Sequence, residues 1–177
     1  MSKILKVSNV GDYIRYVGEQ EQHPLEGIID YAALSPVRHS LNNYGVYGVF
    51  MHEHLSVDLT YGWCKYDYRN VGTVICVGPS QIGGKEDNGE RLDLDGWALL
   101  FHPDFLHGTS LEKEIRSFSF FDYNVNEALH TSSEEFKILA SFMRRIKQEL
   151  EGNRDGMQDA IIVDYISLLL NYCKRFY

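Results

Sequence analysis

The hydrophobic period of this chain changes once, near Thr131, and that switch constrains the fold more than any motif does. Before it, apolar residues come in short segments at 27–31, 46–55, 59–68, 73–77, 97–102 and 116–121, separated by turn formers such as Asn42-Asn43, Arg69-Asn70-Val71-Gly72, Gly83-Gly84 and Asp87-Asn88-Gly89. Several of the segments are rich in Val, Tyr, Phe and Trp, so they read as strands, and strands at this spacing build a sandwich or a barrel. Residues 10–16 read as a short amphipathic helix lying across one end. After Thr131 the period becomes helical. Ser132 stands three residues before Glu135, the spacing at which each side chain caps a backbone donor beside the other, so a helix is expected to start there. Phe136, Leu139, Phe142, Met143, Ile146 and Leu150 then recur at threes and fours, and Gly152-Asn153 supplies a stop. A second helix is expected from about Asp155, carrying Ile161, Ile162, Tyr165, Ile166, Leu168, Leu169, Tyr172, Cys173 and Phe176.

The expectation is a mainly β chain with α, divided into a β unit at 1–131 and a helical pair at 132–177. A chain of 177 residues that is 44% apolar and 13% aromatic has the composition of a folded domain, and at this size it buries about 70% of the surface its unfolded form exposes. The formal net charge is -8, and residues from Glu134 onward carry seven basic and seven acidic side chains, so the whole excess lies in the β unit. Such a surface repels phosphate backbones, and no basic stripe with interleaved aromatics offsets it. Cys64, Cys76 and Cys173 are widely spaced, form no CxxC pair and follow no signal peptide, which points to a reduced cytoplasm. The longest apolar run, around 161–170, is broken by Asp164 and falls short of the roughly 18 residues a membrane span needs.

The candidate chemistry lies in histidines and aromatics. Met51-His52-Glu53-His54 falls on an expected strand, where alternation places His52 and His54 on one face and Glu53 on the other. With Asp58 and His107 they would make a set resembling the three-histidine, one-carboxylate centre of metal-binding cupins, and the alternative to a sensor is a metal-dependent enzyme built on it. The sequence departs from that pattern: the cupin motif has glycine after its proline and histidine five residues beyond it. Here Pro103-Asp104-Phe105-Leu106-His107 has neither. No cofactor or metal is therefore assigned. His102, just before Pro103, is expected to end its strand in an extended conformation. Tyr61, Trp63, Tyr66 and Tyr68 read as barrel lining, and inward aromatics with polar tips also make ligand pockets. The candidate ligand-binding residues are His52, His54, Tyr61, Trp63, Tyr66 and His107.

The second helix is apolar over more than one stripe, so it needs partners on two sides, either both within its own domain or with a second subunit on one of them. Ile162, Tyr165, Ile166, Leu169 and Tyr172 are the candidate residues for a homodimer contact. The helix also runs to Tyr177 without a glycine, proline or polar tail, as in a chain cut from a longer one.

Three phrases in this order, "GVYGVFMHEHLSVDLTYG", "GWALLFHPDFLHGTSL" and "FSFFDYNVNEALHTSSEEFKILASFMRRIKQEL", followed by the ending "LLNYCKRFY", resemble the amino-terminal sensor domain of AraC-type transcription regulators over roughly residues 23–177. The resemblance implies a cupin-like jelly-roll barrel that takes a small effector, and a helical pair that mediates dimerisation. It further implies a carboxy-terminal domain with two helix-turn-helix motifs, outside this chain, through which alone DNA would be contacted. It implies no membrane partner and no catalysis.

Overall fold

The computed structural model describes residues 3–54, 72–122, 128–152 and 154–177, together with the backbone of 60–61 and 64–65. Strand β1 (Ile4–Val7) leads into helix α1 (Val10–Tyr16), followed by β2 (Glu26–Asp30) and the single helical turn α2 (Tyr31–Leu34). Then come β3 (Leu41–Tyr44), β4 (Tyr47–His52), the two-residue strands β5 (Thr60–Tyr61) and β6 (Cys64–Lys65), β7 (Thr73–Val77), β8 (Ile82–Gly84) and β9 (Trp97–Phe101). Helix α3 (Ser110–Glu114) and β10 (Leu129–His130) precede the long helices α4 (Ser133–Glu151) and α5 (Gln158–Phe176). The strands form two sheets, ordered β1-β3-β8-β5-β6 and β10-β7-β4-β9-β2. Only the β1–β3 pair is parallel among these pairings.

The second sheet is buried on both faces, and its strands accordingly read as nearly unbroken apolar runs. Alternation sorts their side chains. Ile28, Val49, Met51, Val74, Leu99 and Phe101 point to one side, into a cluster completed by α4 and α5. Ile29, Phe50, Ile75, Val77, Ala98 and Leu100 point to the other, into a cluster with Val7 and Tyr44 of the first sheet and Val10, Tyr13 and Ile14 of α1. The two sheets thus share one core, and the helices share a second core with the back of the second sheet.

Helix α4 starts where the capping box places it: Glu135 N–H donates to Ser132 Oγ (3.2 Å) and Ser132 N–H to Glu135 Oε2 (2.9 Å). Its buried face is Phe136, Leu139, Ala140, Met143, Ile146 and Leu150, and it ends at Gly152. The turn into α5 is tied by the Gln158 side chain, which donates from Nε2 to the Glu149 carbonyl oxygen (2.6 Å), one of the acceptors a helix end leaves without a helical partner. Asp159 in the first turn of α5 and Lys174 and Arg175 in its last complement the helix dipole. Among the described residues, no helix is long and apolar enough to cross a membrane.

Three expectations change. Residues 116–121 are not a strand but two 3-10 turns, Ile115–Ser117 and Ser119–Phe121. A strand would send the neighbours Phe120 and Phe121 to opposite faces, whereas the turn brings both rings, 5.1 Å apart, into the helix-side core. Within 59–68 the described backbone is a hairpin of β5 and β6 rather than one strand. Strands β1, β3, β8 and β10 were not foreseen, being two to four residues long and, in β3 and β8, polar or glycine-rich.

Glu26 breaks the apolar rule on the helix side. It is wholly buried, and neither carboxylate oxygen has a hydrogen-bond partner. Burial, with a smaller push from the Asp159 charge, raises its acid well above the ordinary carboxylate value. The folded state therefore holds a proton that the unfolded chain releases, so stability is full below about pH 4.5 and is lost as pH rises toward the elevated folded value. Urea denaturation should show the wild type losing stability between pH 5 and pH 8 relative to Glu26→Gln; parallel pH profiles would contradict this. In the same assay Leu169→Ala, which empties a fully buried position, should cost about 2–5 kcal/mol. Leu168→Ala, at a position 44% exposed, should cost about 1 kcal/mol or less.

Candidate functional site

The space between the two sheets is lined by polar groups. Helix α1 delivers Tyr13 and Tyr16, α2 delivers Tyr31, β3 delivers Asn42 and Tyr44, and the end of β4 delivers His52; Arg38, His39 and Ser40 come from the segment ahead of β3. In β3 the period of two puts Asn42 and Tyr44 inside and leaves Asn43 exposed. Gly84 of β8 allows the close approach that shapes this wall: its φ is +114°, and a Cβ there would lie 2.3 Å from the Ser40 carbonyl oxygen.

Inside, hydrogen bonds pair the polar heads. The Tyr13 and Tyr31 hydroxyls lie 2.6 Å apart. Ser40 Oγ donates to Asn42 Oδ1, and Asn42 Nδ2 donates to the Tyr44 hydroxyl oxygen (3.0 Å). Burial raises the Tyr13 and Tyr44 hydroxyls above the ordinary phenol value, and at Tyr13 the neighbouring phenols add to it, so both stay protonated. His52 is almost fully buried, stacked on Tyr31 with centroids 5.5 Å apart. Its Nδ1 lies 2.9 Å from the Asp95 carbonyl oxygen, which can only accept, so Nδ1 carries the proton. Nε2 is left as an acceptor with no partner among the described residues. Burial lowers the His52 basicity, partly opposed by the Asp95 hydrogen bond, and so keeps the ring neutral. The cavity these groups enclose is about 40 Å³, room for a water molecule or a few. Next to it, Lys3, Leu5, Tyr16, Arg38, Ser40 and Asp87 line an outer hollow of about 270 Å³.

The histidines singled out by spacing do not converge. Strand β4 ends at His52, because the Asp95 carboxylate captures the Glu53 and His54 N–H groups (3.1 and 2.9 Å) and bends the chain away. His54 is consequently 80% exposed, with Nδ1 3.3 Å from Asp95 Oδ2, while His52 points inward. Gly96 holds the same corner: its φ is +87°, and a Cβ would lie 1.9 Å from the Met51 carbonyl oxygen. His107 is 84% exposed beside Glu112 and lines a surface hollow with Tyr47, at the opposite end of β4. Five residues of strand separate the two ends by roughly 16 Å, whereas ligands of one metal sit about 2 Å from it. Among the described residues no group of His, Cys, Asp and Glu could hold a metal ion. Asp58, Trp63, Tyr66 and Tyr68 lie outside the described residues, as does the side chain of Tyr61. His102 is extended, as expected, and caps the following turn by accepting from Asp104 N–H.

Of the candidate dimer residues, Ile162, Ile166 and Leu169 are fully buried in the intramolecular core. Tyr165 and Tyr172 are only partly covered, and with Ile161 and the exposed Leu168 they form an outer stripe on α5; Phe142 of α4 joins it, 5.5 Å from Tyr172. Comparison with models of known protein families and with curated protein sequences finds no match.

The neutrality of His52 is open to test. Its imidazole carbons, followed by NMR, should titrate with a midpoint below 6.5; a midpoint at or above that value would place the ring in a wetter or more acidic setting than the structure gives it.

Proposed function

We propose that this chain is the effector-sensing and dimerisation module of an AraC-type transcription regulator, built on a cupin-like jelly-roll barrel. In that family DNA is contacted through a carboxy-terminal helix-turn-helix domain, which lies outside this chain. One observation carries the proposal: the second sheet has a polar-lined interior on one face and a helical pair on the other. An effector that enters the interior meets His52, the lining residue that stands at the end of β4 in the sheet against which α4 and α5 pack. Ligand binding then shifts the helical pair between arrangements, and the shift changes the freedom of attached DNA-binding domains.

The charge agrees with this assignment, since an acidic chain of net charge -8 is a poor nucleic-acid ligand by itself. The dimer contact falls on the outer stripe of Ile161, Tyr165, Leu168 and Tyr172, spaced four, three and four residues apart, as one helix needs to lie against another. The module works in the cytoplasm and catalyses no reaction.

Analytical sedimentation should find a dimer at micromolar concentration, and Leu168→Glu should shift it to monomer with its melting temperature changed by a few degrees at most. A wild-type monomer at high micromolar concentration would remove the dimerisation half of the proposal.

A further inference from the structure

The inner cavity and the outer hollow meet at Tyr16, Arg38 and Ser40, which line both. The Arg38 guanidinium lies over the Tyr16 ring, 4.3 Å from its centroid, and the Tyr16 hydroxyl donates to the His39 carbonyl oxygen (2.9 Å). The partition is therefore a stack of two side chains, one of them exposed, and a contact of this kind at the surface is weak. Opening it would join a space of about 40 Å³ to one of about 270 Å³, reaching the lower end of small-ligand sites at roughly 300 Å³.

The charges around this opening run against the rest of the surface. Lys3, Arg38 and Lys85 line it against the single acid Asp87, in a chain with 17 basic and 25 acidic residues. None of the three cations forms an ion pair with a described residue. A neutral polyol would leave them unmatched. An apolar acid would match them but would enclose His52 Nε2 without offering it a donor, which is costly inside a protein. Both ends are satisfied by one kind of molecule. Resting on the reading of the interior as an effector site, we propose that the ligand is a small hydroxylated carboxylate. Its carboxylate takes the planar fork of Arg38 in place of the Tyr16 ring, and its hydroxyl donates to His52 Nε2.

The experiment is titration calorimetry, with melting curves on the same samples, using 3-hydroxybutyrate, malate and 4-hydroxybenzoate. Each is set beside the alcohol of the same skeleton (1,3-butanediol, 1,2,4-butanetriol, 4-hydroxybenzyl alcohol) and beside the plain acid (butyrate, succinate, benzoate). At least one hydroxy acid should bind about tenfold or more tightly than its alcohol, the loss expected for one charge-assisted hydrogen bond. The same acid should bind roughly threefold or more tightly than its plain acid, the loss expected for one neutral hydrogen bond. Arg38→Gln should erase the preference over the alcohol, and Arg38→Lys should restore part of it. An alcohol or plain acid that binds as tightly as its hydroxy acid, or a preference that survives Arg38→Gln, overturns the ligand class and leaves an effector site standing. Silence from every compound also overturns the ligand class. The effector site itself falls only if a parallel set of neutral sugars and amines moves no melting curve either.

Discussion

The structure depends on one constraint: a five-stranded antiparallel sheet with no face left for water. Its strands send alternate side chains into two different cores, Val49 and Met51 toward the helices and Phe50 toward the first sheet. An antiparallel sheet commonly keeps one face solvated; this one cannot. The first sheet with α1 must close one side and α4 with α5 the other. That requirement explains why Ile162, Ile166 and Leu169 of α5 are consumed internally, leaving Ile161, Tyr165, Leu168 and Tyr172 on its outer surface.

The two faces are filled in different ways. On the helix side the core is largely apolar, and Glu26 is the buried carboxylate there whose two oxygens have no partner among the described residues. On the other side tyrosines, Asn42, Ser40 and His52 reach into the core, with their heads paired by hydrogen bonds. Polar groups in a core are tolerated when paired, yet apolar residues of similar volume would serve stability as well or better. Among the described residues the polar interior is paired apart from one acceptor, His52 Nε2, which faces the cavity. It differs in kind from the isolated carboxyl at Glu26, which raises a pH-dependent cost and presents nothing to an open space.

Much of the scaffold is legible in the sequence because local rules govern it. The capping box at Ser132 and Glu135, the threes and fours that follow, and the apolar runs of β4, β7 and β9 all announce themselves within a few residues. The interior does not. Tyr13, Tyr31, Tyr44 and His52 come from four elements, and no spacing rule connects them; the one local signal was the alternation of Asn42 and Tyr44 in β3, hidden by its polar composition. The pairing of His52 with His54 failed for a related reason. Alternation holds only while a strand lasts, and Asp95, forty-odd positions away, ends β4 between the two histidines.

That corner also links the two faces physically. The Asp95 carbonyl oxygen fixes His52, its carboxylate fixes the exit of β4, and the next residue, Gly96, presses on the Met51 carbonyl before the chain enters β9. The first residue of β9, Trp97, lies under α4, with Lys147 Nζ 5.9 Å from its ring. A ligand that draws on His52 Nε2 pulls against a turn shared by β4 and β9. Met51 of β4 and Trp97 and Phe101 of β9 pack in the core shared with the helical pair. Packed interiors do not deform continuously, so such a pull is relieved by a discrete shift of one layer against the next. On that side the sheet packs against the helical pair together with the 103–121 segment.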